Sequence, residues 1–188
     1  LCLDLDRFKE VNDLFGHAAG DAMLRKVADN AGSVLSEGQM LARLGGDEFA
    51  IIAPGISNQK EAATLAERVL EAFRAENARA SSDGLMSTSI GIALYPRDAQ
   101  DQETLINHAD TALYRAKSEG RDTYRFYEHA MGIEARSRRI MEHELRHAVT
   151  RNEFHLVYQP QKKLDSGELI GYEALLRWHH PERGNVSP

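Results

Sequence analysis

A single cysteine, Cys2, stands in the whole sequence, so no disulfide forms within the chain. Its place in an apolar run marks a small buried core residue in a reducing, cytoplasmic setting. Basic residues are scarce relative to acidic ones. There are 23 Lys and Arg against 29 Asp and Glu, a net charge of −6, and that argues against a nucleic-acid surface because phosphate backbones demand clustered positive charge. No run reaches the ~20 apolar residues of a membrane span, and no charged-then-apolar leader opens the chain. The chain reads as starting inside a strand and stopping short of a natural end at Pro188, so any membrane tether is expected upstream of Leu1. Internal repeats and low-complexity tracts are also missing. What remains, 188 residues at 42% hydrophobic and 28% charged, suits a soluble globular chain with one full core and part of another.

The most informative residues present are Gly45-Gly46-Asp47-Glu48-Phe49. Two glycines deliver two adjacent carboxylates at a tight turn between apolar strands over 40–44 and 49–53. On the turn alone, a solvated hairpin tip stands beside a functional reading. The run Leu1-Cys2-Leu3-Asp4-Leu5-Asp6 is an apolar strand whose far end carries more carboxylates. Set beside the hairpin in one sheet, it gathers oxygen ligands without His or Cys, which is a site for a hard cation such as Mg²⁺ or Mn²⁺.

Asp4-Leu5-Asp6-Arg7-Phe8-Lys9, Asn12-Asp13, Gly16-His17-Ala18-Ala19-Gly20-Asp21 and the Gly-Gly-Asp-Glu-Phe turn, in this order and spacing, resemble the GGDEF family of diguanylate cyclases over residues 1 to about 126. The periodicity along the same stretch predicts an α+β domain. From residue 20 to about 34, Ala22, Met23, Val27, Ala28 and Ala31 recur at helical spacing, with Asp21 in the first turn. Asn58, answered by Glu61, caps a helix whose core stripe is Ala62, Leu65, Ala66, Val69, Leu70 and Phe73. Residues 87–94 read as a strand in which Gly91 marks another backbone passing close. A helix follows from about 101 to Gly120, a left-handed cap, and 123–127 is a last strand. Strand, helices, hairpin, helix, strand, helix, strand is the order of a ferredoxin-like split βαβ sheet. The resemblance implies its nucleotidyl-cyclase palm version.

After Tyr127 the character shifts. Residues 134–150 read as an exposed helix with a narrow apolar stripe, and 154–158 and 169–172 flank the turn Asp165-Ser166-Gly167 as a hairpin. Tyr158-Gln159-Pro160, Glu173-Ala174-Leu175-Leu176-Arg177-Trp178 and Gly184-Asn185-Val186-Ser187-Pro188 resemble the opening of an EAL domain, a cyclic di-GMP phosphodiesterase on a TIM-type barrel. The expected organisation is a GGDEF domain over 1–127, a linker over 128–136 and an EAL fragment over 137–188. A barrel draws its ligands from many strands, and this piece supplies Gln159, Glu173 for metal and Arg177 for phosphate. On its own it is expected to hydrolyse nothing.

The cyclase resemblance implies that two GTP molecules condense to cyclic di-GMP, in a homodimer with two GTP sites face to face. The implied metal ligands are Asp4, the Leu5 carbonyl, Asp47 and Glu48, with Glu48 also placed to help deprotonate the attacking hydroxyl. An EF-hand reading of Asp4-x-Asp6 fails, because the loop lacks its glycine and would end on Phe15. Asp6 reads as structural. Asp21 would accept hydrogen bonds from the guanine edge, where adenine turns an acceptor toward it, and Asn12 would add an amide contact. Their plainer roles are helix-dipole residue and turn residue. Phe8 and Lys9 lie where backbone amides approach phosphates. Lys117 and Arg121 occupy the positions that hold terminal phosphates, although basic residues at a helix end also offset the dipole without a ligand. Arg43 reads as a structural ion-pair partner. Two departures stand out: the family's upstream Asp-x-Leu-Thr-x-Leu-x-Asn-Arg segment is missing, and Ser36 and Gln39 replace the Arg and Asp of its inhibitory product site. A GTP-binding module that controls an attached EAL phosphodiesterase is the alternative to a cyclase.

Overall fold

A computed structural model describes residues 1–80 and 86–186; Ser187 and Pro188, the end of the EAL-like motif, lie outside the described residues. The chain forms two compact units, Leu1–Ile133 and Glu134–Pro188. In the first, β1 (Cys2–Leu5), α1 (Phe8–Phe15), α2 (His17–Ser33), β2 (Met40–Gly45), β3 (Glu48–Ile52), α3 (Gln59–Ala80), β4 (Thr88–Ile92), α4 (Gln102–Ser118) and β5 (Tyr124–Phe126) follow in order. The sheet runs β2-β3-β1-β4-β5, with β1 antiparallel to both neighbours and β5 parallel to β4. Its first four strands have the ferredoxin-like order, and the fold is the expected α+β palm.

Strand β1 is buried at every position, and its alternation splits the sheet into two unlike faces. Leu3 pairs with Phe49 on one side and Ile90 on the other, and Leu5 follows; these join Val27, Val69 and Phe73 of α2 and α3 in the main core. Cys2 faces the other way, against Ala109 and Leu113 of α4. Burial pushes the Cys2 thiol up, which leaves it an inert core group. Gly91 pairs with Cys2, and a Cβ there would lie 2.0 Å from the Ala109 carbonyl oxygen and 2.2 Å from the Leu113 amide nitrogen. The missing side chain lets α4 lie directly on the sheet, as the sequence anticipates.

Local signals in the sequence hold at several ends. Asn58 Oδ1 accepts from the Glu61 amide (3.0 Å) while the Glu61 carboxylate reaches back to the Ser57 amide (2.8 Å). Asp101 caps α4 through the Thr104 amide at 2.8 Å, and Gly120 beyond its end has φ 121°. Two expectations shift. Helix α2 begins at His17 rather than near residue 20, because Gly16 (φ 82°) is the break and Gly20 is a buried position inside the helix. Asp21 therefore sits in the second turn, where the dipole's hold on it is weaker. Of residues 128–136, read as a linker, 129–136 are helical, because α5 (His129–Ala148) starts there.

In the second unit, β6 (Phe154–Lys162), β7 (Leu169–His180) and β8 (Gly184–Val186) form an antiparallel sheet. The turn between β6 and β7 carries Gly167 at φ 68°. Trp178 is buried and donates from Nε1 to Glu153 Oε2 at 2.8 Å. Among the described residues no helix is long and apolar enough to cross a membrane.

Candidate active site

The end of β1 and the tip of the β2-β3 hairpin meet. Asp4 stands opposite Glu48 on β3 and Ser89 on β4, all on the α4 face of the sheet. The Leu5 amide donates to the Asp47 carbonyl at 3.3 Å, which ties the turn to the strand end. Gly46 takes φ 53° at the turn, a left-handed conformation that costs glycine little. The Arg43 guanidinium closes it, donating from Nε and Nη2 to the Gly46 carbonyl at 3.0 and 2.7 Å. Arg43 was expected to pair with a carboxylate; it clamps the turn backbone.

Asp4 is 7% exposed and meets the Lys117 ammonium at 2.6 Å. This contact exists because α4 lies flat on Gly91 and Lys117 is one turn beyond Leu113 along the same face. Burial holds the Asp4 carboxyl above the usual carboxylate range; Lys117 pulls it back, and the nearby Asp47 and Glu48 push it further up. The carboxylates are gathered without closing on a common point: among the described residues, no three His, Cys, Asp or Glu side chains form a ready-made metal site. The donor chemistry is all oxygen, and the crowding of negative charge around Asp4 suits a hard cation.

Asp21 lines a cleft of about 460 Å³ with Leu24, Arg25, Leu41 and Arg43, next to the hairpin. Asn12 packs against Gly20, the residue before Asp21. A Cβ on Gly20 would meet Asn12 Oδ1 at 2.1 Å, so the glycine before Asp21 is what admits the Asn12 side chain. Helix α1 opens on Arg7 in the left-handed region (φ 60°) with no side chain capping its first amides, at Phe8 and Lys9. Arg121 lies beyond α4 with φ 65°, exposed to solvent. Asp6, in contrast, is 3% exposed and fully engaged in hydrogen bonds within the protein.

In the second unit, Gln159 pairs directly with Glu173 across β6 and β7, and Arg177 follows on the same face of β7. Glu173 is exposed, and Arg177 donates to the Leu176 carbonyl at 2.9 Å.

Comparison with known proteins accounts for this arrangement. Residues 1–123 match the family model of the diguanylate cyclase GGDEF domain, and residues 142–188 match the EAL domain. An uncharacterized signaling protein of Caulobacter vibrioides is 42% identical over the whole chain, which covers 23% of that protein. The bifunctional diguanylate cyclase/cyclic di-GMP phosphodiesterase MucR of Pseudomonas aeruginosa is 41% identical over the whole chain, which covers 27% of it. The chain thus spans less than a third of these relatives. Among solved structures, the GGDEF domain of the Pseudomonas aeruginosa protein TpbB or YfiN aligns with a TM-score of 0.65 at 37% identity, over 72% of this chain and 79% of that one. The chain belongs to the GGDEF family of diguanylate cyclase domains, and a partial EAL domain follows it.

Proposed function

We propose that the GGDEF unit condenses two GTP molecules into cyclic di-GMP and two pyrophosphates, as a homodimer in which each protomer holds one GTP. The observation that carries this reading is Asp4, a buried carboxylate at the end of the central strand, paired with Lys117 and crowded by Asp47 and Glu48. In each half-reaction a ribose 3′-hydroxyl attacks an α-phosphorus, the new P–O bond forms, the bond to the β-phosphate breaks and pyrophosphate leaves. Bound Mg²⁺ or Mn²⁺, held by Asp4, the Leu5 carbonyl, Asp47 and Glu48, would polarise the phosphate and lower the pKa of the hydroxyl. Glu48, exposed beside the turn, accepts the hydroxyl proton. Asp21 and Asn12 select guanine at the cleft, and the amides at Phe8 receive the phosphates. Lys117 and Arg121 hold the terminal phosphates, Lys117 by exchanging part of its hold on Asp4 for the nucleotide.

Incubation with GTP and Mg²⁺ followed by chromatography tests this reading. Cyclic di-GMP and pyrophosphate are expected, and Asp47→Ala should reduce turnover by a factor of about 10² or more through loss of one charged group at the phosphates. Full turnover in that variant sinks the metal assignment.

A second reading, a GTP-binding module that regulates the EAL part, is favoured by one observation: a partial EAL domain follows the GGDEF domain in the same chain. Under it, GTP binds without product, and hydrolysis of cyclic di-GMP by the whole protein changes with GTP.

A further inference from the structure

Asp6 has no part in the proposed reaction, yet its carboxylate organises the residues that follow α4. Its Oδ1 accepts from Ser89 Oγ at 2.8 Å, and its Oδ2 accepts from Ser87 Oγ at 2.7 Å and from the Asp122 amide at 3.2 Å. That amide closes three consecutive residues of positive φ: Gly120 at 121°, Arg121 at 65° and Asp122 at 46°. Residues with a Cβ do not hold such a backbone unaided, so it persists where its surroundings impose it. The second restraint comes from α3. Arg74 donates from Nε to Asp122 Oδ2 and from Nη2 to the Asp122 carbonyl, both at 2.9 Å. The loop is therefore gripped from the sheet by Asp6 and from α3 by Arg74, and the residue between the glycine and the gripped aspartate is Arg121.

We propose that Asp6 and Arg74 are positioning residues that fix Arg121 for the terminal phosphates of GTP. Asp4 reaches Lys117 and Asp6 reaches the Arg121 loop, so two carboxylates of one strand end place the two cations of the phosphate arm. A carboxylate is needed at position 6 because all three partners are donors. An asparagine loses the charge that strengthens these hydrogen bonds and turns an NH₂ toward at least one partner, so that a serine hydroxyl must reverse to accept or the Asp122 amide is orphaned. The inference rests on the assignment of Arg121 given above.

Calorimetric binding of the α,β-methylene analogue of GTP, which cannot release pyrophosphate, is compared with binding of GMP, which lacks the terminal phosphates. Asp6→Asn and Arg74→Ala should each weaken the triphosphate about tenfold and GMP by less than about twofold, the size expected when one charge-assisted contact is misplaced. Arg121→Ala should match them. Adding Asp6→Asn to Arg121→Ala should then cost nothing more, since both act through one contact. Arg74 is half exposed, so its variant serves if Asp6→Asn fails to fold. Equal weakening of triphosphate and GMP, or additive losses in the double variant, overturns the proposal. If Arg121→Ala leaves triphosphate binding intact, the assignment of Arg121 falls first and the proposal with it. If Arg121→Ala weakens it while Arg74→Ala and Asp6→Asn do not, the positioning role falls alone.

Discussion

The two faces of the GGDEF sheet are made from alternate residues of the same strands, and they do opposite things. On the face covered by α2 and α3, the row Phe49, Leu3, Ile90 is apolar across three strands and fully covered. Each such side chain contributes roughly 1.5–3 kcal/mol by leaving water. On the α4 face only the beginning of β1 is apolar; its end presents Asp4 beside Glu48 and Ser89, with Asp6 just beyond. Burial of Leu5 favours folding, and burial of charged Asp4 one residue earlier opposes it. The chain carries most of its apolar core on one face and its clustered carboxylates on the other, so substitutions on the two faces should separate stability from the role of those carboxylates.

The largest effect is expected from breaking the stabilising face. Phe73, fully buried on α3, should cost about 3–5 kcal/mol on replacement by alanine, a large share of a typical domain's margin. Urea unfolding of the GGDEF unit measures this, and a midpoint like the parent's would mean that this face does not hold the fold. Gly91→Ala comes next, on the other face. Its Cβ would meet backbone atoms of α4, which cannot rotate away, so overpacking costs about 1–3 kcal/mol. Because α4 must move, Lys117 moves with it, and triphosphate affinity should fall beyond what lost stability explains. An alanine variant with parental stability and affinity would refute the close approach.

This division was only half legible in the sequence. The stabilising face was visible because apolar periodicity marks it, as in the stripe from Ala62 to Phe73, and because caps such as Asn58 and Asp101 are local signals. Gly91 was legible because a glycine weakens the strand that holds it, and the close approach of another backbone compensates for that cost. The residues that meet through tertiary packing were not. Nothing in spacing pairs Asp4 with Lys117, more than a hundred positions apart, or Asp6 with the Asp122 amide. Gly20 misled for a physical reason, since a glycine usually ends a helix, whereas here it makes room inside one for Asn12. Arg43 lacked any sequence signal for its clamp on Gly46. The order of motifs carried the family, and the family carried the candidate site.

Asp4 gives the sharpest separation with a modest change in stability. Its carboxyl is raised by burial and by Asp47 and Glu48, so the folded state keeps its proton to higher pH than the unfolded chain does. Stability therefore falls as pH rises from the ordinary aspartate range through the raised value, and stays lower above it. Exposed carboxylates pulled down by their partners, such as Asp101, slope the opposite way, so the difference between parent and Asp4→Asn isolates the effect. Without metal, the variant should melt at or above the parent at neutral pH, since Lys117 is a third exposed and regains water. It should also have lost turnover. Mg²⁺ should raise the melting temperature of the parent and leave the variant unmoved. A parent that gains on the variant as pH rises would contradict the charge crowding.

The smallest effect is expected where neither face reaches, at the turn leading into β2. Ser36 and Gln39 hold each other: the Ser36 amide donates to Gln39 Oε1 at 2.9 Å and the Gln39 amide to the Ser36 carbonyl at 3.0 Å, with Gly38 at φ 82° between them. The Gln39 side-chain oxygen is spent within the turn, and Glu37 adds an exposed negative charge. A guanidinium paired with a carboxylate would grip the phosphates and guanine edge of the product; this turn offers neither charge to that end. Ser36→Ala with Gln39→Ala should change cyclic di-GMP affinity by less than about twofold, because no charge-assisted contact is removed. Calorimetric titration of the GGDEF unit measures it. A submicromolar site abolished by that double change would place product feedback at this turn after all. Weak binding that GTP displaces would place the product instead at the carboxylate end of β1.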